Sequence, residues 1–268
     1  MMRREFAGDF VAPEPQHALP AQIGRGMAHL LITHTHWDHI LGFPFFGPLY
    51  SQGNHFVIVS AGQTKAHIRD ILSGQQEYPN WPWSVDDAAA SLEYQTFDPG
   101  DEVKLGEFLV KTVQLNHQGI TIGYRIEADD RAVAVYTDTG RVREVRLGDG
   151  MGGPEPDGGF STEYLARLAR CAHKVDMLVH DAYFLEYEML GRYDWGHSTV
   201  EDALETARMA EVNQLVLFHH HQDHSDTTID EKLALARDLS RGESFGVEAA
   251  ADGWLVDLGS DVKAPAKL

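Results

Sequence analysis

The densest chemical signal in the chain is Thr33-His34-Thr35-His36-Trp37-Asp38-His39, which packs three imidazoles and a carboxylate into six consecutive positions, 34 to 39. It follows directly on Ala28–Thr33, a short apolar run ended by a polar cluster, the pattern of a buried strand. Donors that begin where a strand ends can converge on one side of a tight turn. Imidazole nitrogen and carboxylate oxygen are what zinc accepts, and iron or manganese less selectively. The chain holds 15 histidines, and most lie just past the C-terminal ends of strand-like runs, where α/β folds place their chemistry.

Around this motif the pattern is mixed. Pro13, Pro15 and Pro20 keep residues 1–27 from forming a long helix. His55–Ser60, Leu92–Phe97, Glu107–Leu115, Ile120–Ala128 and Ala132–Thr137 read as strands, and Thr64–Leu72 has helical spacing. Residues 74–87 form an aromatic loop with Tyr78, Trp81 and Trp83. Residues 141–160, with Gly148, Gly150, Gly152, Gly153, Gly158 and Gly159, read as a mobile loop. Beyond it come helix Ser161–Ala172, strand Met177–His180, helix Thr199–Ala210, strand Leu215–Phe218 and helix Ile229–Leu239. Ser198 and Glu201 suit a capping box at the start of the second of these helices. Strands first and alternation afterwards predict an α/β sandwich, two sheets covered by helices. The expected organisation is an ill-defined N-terminal segment, 1–27, and one domain over 28–268.

Composition narrows the partners. Lys and Arg number 22 against 41 Asp and Glu, a formal charge of −19 over 268 residues. A field of that sign repels polyanions and argues against nucleic acid and anionic membrane surfaces. No apolar run approaches the roughly 18–20 residues that span a bilayer, and the opening MMRREFAGDF lacks the apolar stretch of a secretory signal. The single cysteine, Cys171, makes neither an internal disulfide nor a thiolate cluster. These features suit a cytoplasmic protein.

Three more candidates stand at strand ends: His117 after Glu107–Leu115, Asp138 after Ala132–Thr137, and His219 after Leu215–Phe218. With the first cluster they can complete two adjacent metal sites sharing Asp138. Two ions roughly 3.5–4 Å apart can generate a nucleophile from water at neutral pH. The set resembles the metallo-β-lactamase superfamily, whose signature is His-x-His-x-Asp-His followed by a later His, Asp and His. The resemblance covers roughly residues 28 to 240 and is carried by THTHWDH, LNHQG, YTDTG and LVLFHHH. It implies a metallo-β-lactamase-like αββα sandwich. It also implies one metal held by His34, His36 and His117, a second held by Asp38, His39 and His219, and Asp138 bridging. The ions would be zinc, with manganese or iron as alternatives. His220 is the alternative to His219; His221 and His224 are expected at the surface.

Two further elements point to a branch. Leu178-Val179-His180-Asp181-Ala182 places an acid at a strand end, and Gly196-His197-Ser198-Thr199 places a histidine before a helix. They resemble the His-(Glu/Asp)-Ala and His-Ser-Thr motifs of the ribonuclease Z-like and related phosphodiesterase branch, with Asp where Glu is common. THTHWDHILGFPFF and HSTVEDALETA are also similar to hydrolases related to the carbon–phosphorus lyase phosphodiesterase. A carboxylate behind an imidazole fixes its tautomer and raises its pKa, so Asp181 and His197 would form the catalytic pair. The resemblance implies a phosphodiesterase acting through a metal-bridging hydroxide. With no Lys/Arg-rich insertion to hold a tRNA, a small anionic ester is the expected substrate.

One departure stands out. Superfamily members have about two more strands ahead of the first histidine motif, whereas 33 residues precede His34 here. Missing strands would expose backbone and apolar surface, which invites a homodimer. The rival readings are a lactonase, thioesterase or β-lactamase-like hydrolase sharing the metals, a redox diiron enzyme, and a non-catalytic metal-binding protein.

Overall fold

A computed structural model describes residues 25–62, 65–140 and 159–258. It forms two compact units, which part between Asp98 and Pro99. In the first, β1 (Met27–Ile32), β2 (His55–Ala61) and β3 (Ser91–Phe97) form a parallel sheet in the order β1-β2-β3. Parallel neighbours need crossovers. The first runs through the short helix α1 (Trp37–Ile40) and two 3-10 turns, the second through α2 (Lys65–Gln75). The central strand supplies the core. Ile58 packs with Ile40, Ile68 and Leu72, and Phe56 packs with Phe46, Leu49 and Ala90. The aromatic loop is largely exposed at Tyr78 and Trp83, while Trp81 sets its ring edge-on to Phe45 at 4.8 Å.

The second unit carries a seven-stranded sheet in the order β10-β9-β8-β7-β6-β5-β4. Strands β4 (Glu102–Leu105), β5 (Phe108–Gln114), β6 (Ile122–Ala128) and β7 (Arg131–Tyr136) run antiparallel. From there α3 (Gly159–Cys171), α4 (Val200–Ala210) and α5 (Asp226–Leu239) are the crossovers joining parallel β7, β8 (Met177–Asp181), β9 (Gln214–Phe218) and β10 (Gly246–Ala249). Alternation along these strands divides the core. Tyr136, Leu178, Leu215 and Leu217 pack with Leu168, Val200 and Leu204 of the helices. Val135, Met177, Val179 and Val216 turn to the other face with Trp254.

Register matters most for the site. Tyr136 pairs with His180, and Asp181 pairs with Phe218, so the C-terminal ends of β7, β8 and β9 finish level. Asp138, Asp181 and His219 leave the sheet along one edge.

Some local expectations shift. The four-residue strands β4 and β10 and the helix α1 are too short to show a period. The cap of α4 is Thr199 rather than Ser198, with Asp202 closing the box. Ser198 is diverted because its hydroxyl donates to Thr139 O and its N–H to Asp181. The glycines at 148 to 158 and the ill-defined segment ahead of residue 25 lie outside the described residues. Among the described residues no helix is long and apolar enough to cross a membrane.

Candidate metal centre

In the first unit, β1 ends at Ile32 and His34 is buried two residues on. His36 is the N-cap of α1, and His39 N–H donates to His36 O at 3.0 Å, closing the turn. That turn gathers the imidazoles: the His34 ring centroid lies 4.5 Å from that of His36 and 4.2 Å from that of His39. Asp38 Oδ2 stands 3.4 Å from His39 Nε2. The four donors foreseen from the sequence thus form one cluster within this unit.

In the second unit, His117 and Asp138 are buried on the loops after β5 and β7. Tyr164 of α3 ties those loops together. Its hydroxyl accepts the Asn116 N–H at 2.7 Å and shares a 2.7 Å hydrogen bond with Thr139 Oγ1. His117 Nδ1–H donates to Gly196 O at 2.9 Å, which directs Nε2 toward Asp138. Asp138 Oδ2 is 3.6 Å from His117 Nε2, and its Oδ1 is 3.4 Å from His219 Nε2. Each oxygen of one carboxylate therefore faces a different imidazole, beyond normal hydrogen-bond length. Gly196 makes the first contact possible: with φ +77°, a Cβ there would come within 2.5 Å of His117 Nδ1.

His219 reaches Asp138 because the chain turns sharply as it leaves β9, with His219 in the left-handed region at φ 53°. His220 is partly buried near Lys232 and His224, and burial, assisted by Lys232, pulls its imidazole pKa down to about 4. His221 and His224, expected at the surface, are partly buried. His221 packs its ring against Tyr183 with centroids 4.7 Å apart, and His224 Nε2 meets Glu188 Oε1 at 2.9 Å. The 3-10 turn Glu186–Met189, invisible to periodicity, brings Glu188 there.

Asp181 and His197 form a close pair, His197 Nδ1–H donating to Asp181 Oδ2 at 2.8 Å. Asp181 is fully buried and accepts three backbone N–H groups besides, from Thr139 at 3.2 Å, Tyr183 at 2.9 Å and Ser198 at 3.1 Å. Asp181, His197 and His219 each offer a ligand atom within 4.8 Å of the others. His180, the other ionisable residue of the same motif, points inward and donates to Asp181 O at 2.7 Å; burial lowers its pKa.

Tyr183 has no counterpart among the residues singled out from the sequence. Its ring stacks on His197 at 4.3 Å and 17°, and on His219 at 5.2 Å and 29°. Its hydroxyl donates to Gln222 Oε1 at 3.1 Å. The only signal in the chain is its place two residues after Asp181.

Residues 6–220 match the model of the beta-lactamase superfamily domain. The chain belongs to this superfamily. A ribonuclease Z from Haloferax volcanii is 26% identical over 266 residues, covering 88% of this chain and 80% of the relative. Among solved structures, the metallo-beta-lactamase fold protein YhfI from Bacillus subtilis covers 84% of this chain and 76% of its own at 15% identity and a TM-score of 0.55. The short form of human tRNase Z covers 77% of this chain and 76% of its own at 21% identity and a TM-score of 0.52. The likeness bears out the αββα fold class. Superfamily and relatives together support a metal-dependent hydrolase of ribonuclease Z-like type.

Proposed function

We propose that the protein is a dinuclear metal-dependent phosphodiesterase. The observation that carries this reading is the Asp181–His197 pair beside His219, a charge-assisted hydrogen bond of 2.8 Å that metal binding alone does not require. His34, His36 and His117 would hold one ion and Asp38, His39 and His219 the other, with Asp138 between them, as the superfamily resemblance implies. The donor set fits. It consists of imidazoles and carboxylates, the ligands of zinc and its neighbours, and the His117 Nδ1–H bond to Gly196 O fixes the tautomer whose Nε2 can bind.

Bound divalent ions would supply positive charge against the phosphate oxygens and lower the pKa of water. The chain's own residues do the rest. Asp181 holds the His197 proton on Nδ1 and stabilises the imidazolium form. The imidazolium then gives its Nε2 proton to the departing alkoxide, a contribution of roughly 10²–10⁴-fold. Four hydrogen bonds to Asp181 keep that carboxylate from rotating away.

A net charge of −19 favours a small anionic diester over a long polyanion. An RNA phosphodiester is the second reading, favoured by the likeness to a protein named ribonuclease Z. The test is metal quantification on the purified protein with a substrate panel: bis-aryl phosphates, cyclic nucleotides, a structured RNA and lactones. Diester cleavage with two equivalents of bound metal is the expected result. Cleavage of RNA but not small diesters would establish the second reading, and rapid lactone cleavage without diester cleavage would refute both.

A further inference from the structure

Lys232 is fully buried on α5, a polar residue on the helix stripe that also carries buried Ala236. Among the described residues no carboxylate lies within ion-pair distance of it. Its Nζ donates instead to two backbone carbonyls, Ala182 O and, at 3.1 Å, Tyr183 O. An ammonium buried without a paired anion is costly, and burial pulls this one down to about 8 against the opposing pull of Asp181 and Glu188. A methionine would fill the same volume without that cost, so the amine's value must lie in what it holds.

It holds the segment that follows Asp181. Ala182 N–H donates to Phe218 O at 2.9 Å, Tyr183 N–H to Asp181 Oδ1 at 2.9 Å, and Phe184 N–H to Ser198 O at 3.1 Å. The carbonyls of Ala182 and Tyr183 both go to Lys232, and buried carbonyls must be paired. Tyr183 is the residue whose ring lies flat on His197 and His219.

We propose that Lys232 is a positioning residue for His197: it pins the Ala182 and Tyr183 carbonyls, and so holds the Tyr183 ring against the imidazole that the phosphodiesterase reading makes the acid. The link to catalysis rests on that reading. The placement of the ring does not.

The test is Lys232→Met in the full-length chain, with imidazole NMR and metal content measured alongside turnover. A ring stacked at 4.3 Å shields the His197 ring protons, and Tyr183→Leu defines the position of those signals without shielding. In the Lys232→Met protein the His197 signals should move toward the Tyr183→Leu position with metal content unchanged. Diester turnover should fall roughly 10- to 100-fold, the scale of a small misplacement of a reacting group. A folded Lys232→Met protein with His197 signals at their original positions overturns the proposal. If that variant does not fold, lysine-¹⁵N spectra of the unsubstituted and Tyr183→Leu proteins decide. A slowly exchanging ammonium that responds to Tyr183→Leu supports the proposal, and its absence overturns it. Since the spectra need no turnover, a protein inert toward diesters would refute the functional reading alone.

Discussion

Asp181 Oδ2 accepts a 2.8 Å hydrogen bond from His197 Nδ1; Asp181 is the last residue of a strand, and His197, 16 residues further along the chain, stands just ahead of a helix. The carboxylate belongs to the sheet and the imidazole to the loop. The sheet edge thus fixes where the ring can stand, and three backbone N–H groups hold the carboxylate in place.

Removing the imidazole tests the role directly. His197→Ala should lower kcat for alkyl phosphodiesters by roughly 10²–10⁴-fold, with a smaller loss for aryl esters whose leaving groups need no proton. Bound metal should be unchanged. Steady-state rates over a series of leaving groups, with elemental analysis, check both halves.

Asp181→Asn keeps the shape but removes the charge. An amide nitrogen would face N–H donors in a fully buried site, and a charged hydrogen bond carries roughly 1.5–3 kcal/mol. Stability should fall by on the order of 2–3 kcal/mol, seen as a lower urea midpoint by circular dichroism. An unchanged midpoint would mean that the carboxylate is not the anchor described.

Gly196→Ala adds a methyl group within 2.5 Å of His117 Nδ1 at a backbone φ of +77°. The left-handed conformation alone costs roughly 1–3 kcal/mol, and the imidazole must give way. A reduced melting temperature and lower metal content should appear together.

Asp138→Ala removes the carboxylate whose two oxygens face His117 and His219 at 3.6 and 3.4 Å. Bound metal should drop well below that of the unsubstituted protein, with no diester cleavage restored by added zinc or manganese. Retention of two equivalents would rule out a bridging role.

Lys232 predicts an alkaline signature. Its pKa falls from 10.5 to about 8 on folding, so between those values the unfolded chain binds the extra proton. This group's contribution to stability should therefore rise with pH across that window, and its full penalty, on the order of 3 kcal/mol, applies below pH 8. The neutral amine keeps both carbonyls satisfied. Cys171 and the buried tyrosines, whose pKa values burial raises, act in the opposite sense in both proteins. The stability of the unsubstituted protein relative to Lys232→Met should therefore rise in urea unfolding between pH 7.5 and 10.5.

The sequence by itself determined the kind of chemistry and the elements that carry it. THTHWDH lies within one strand end and one turn, so the clustering of His34, His36, Asp38 and His39 follows from local geometry alone. The strand and helix runs are equally local, because periodicities of two and about 3.6 residues reflect which faces are buried. Only the tertiary structure decided what depends on pairing between distant segments. The register of β7, β8 and β9 brings Asp138, Asp181 and His219 to one edge. The left-handed turn at His219 separates it from His220, where a simple alternation left both open. Ser198 loses the capping role to Thr199 because Asp181 and Thr139 claim it. Tyr183 and Lys232 carry no motif; their roles arise where a ring meets an imidazole and an amine meets two carbonyls some fifty residues away in the chain. Such contacts are set by how helices close over a sheet, a physical relation that no window of neighbouring residues contains.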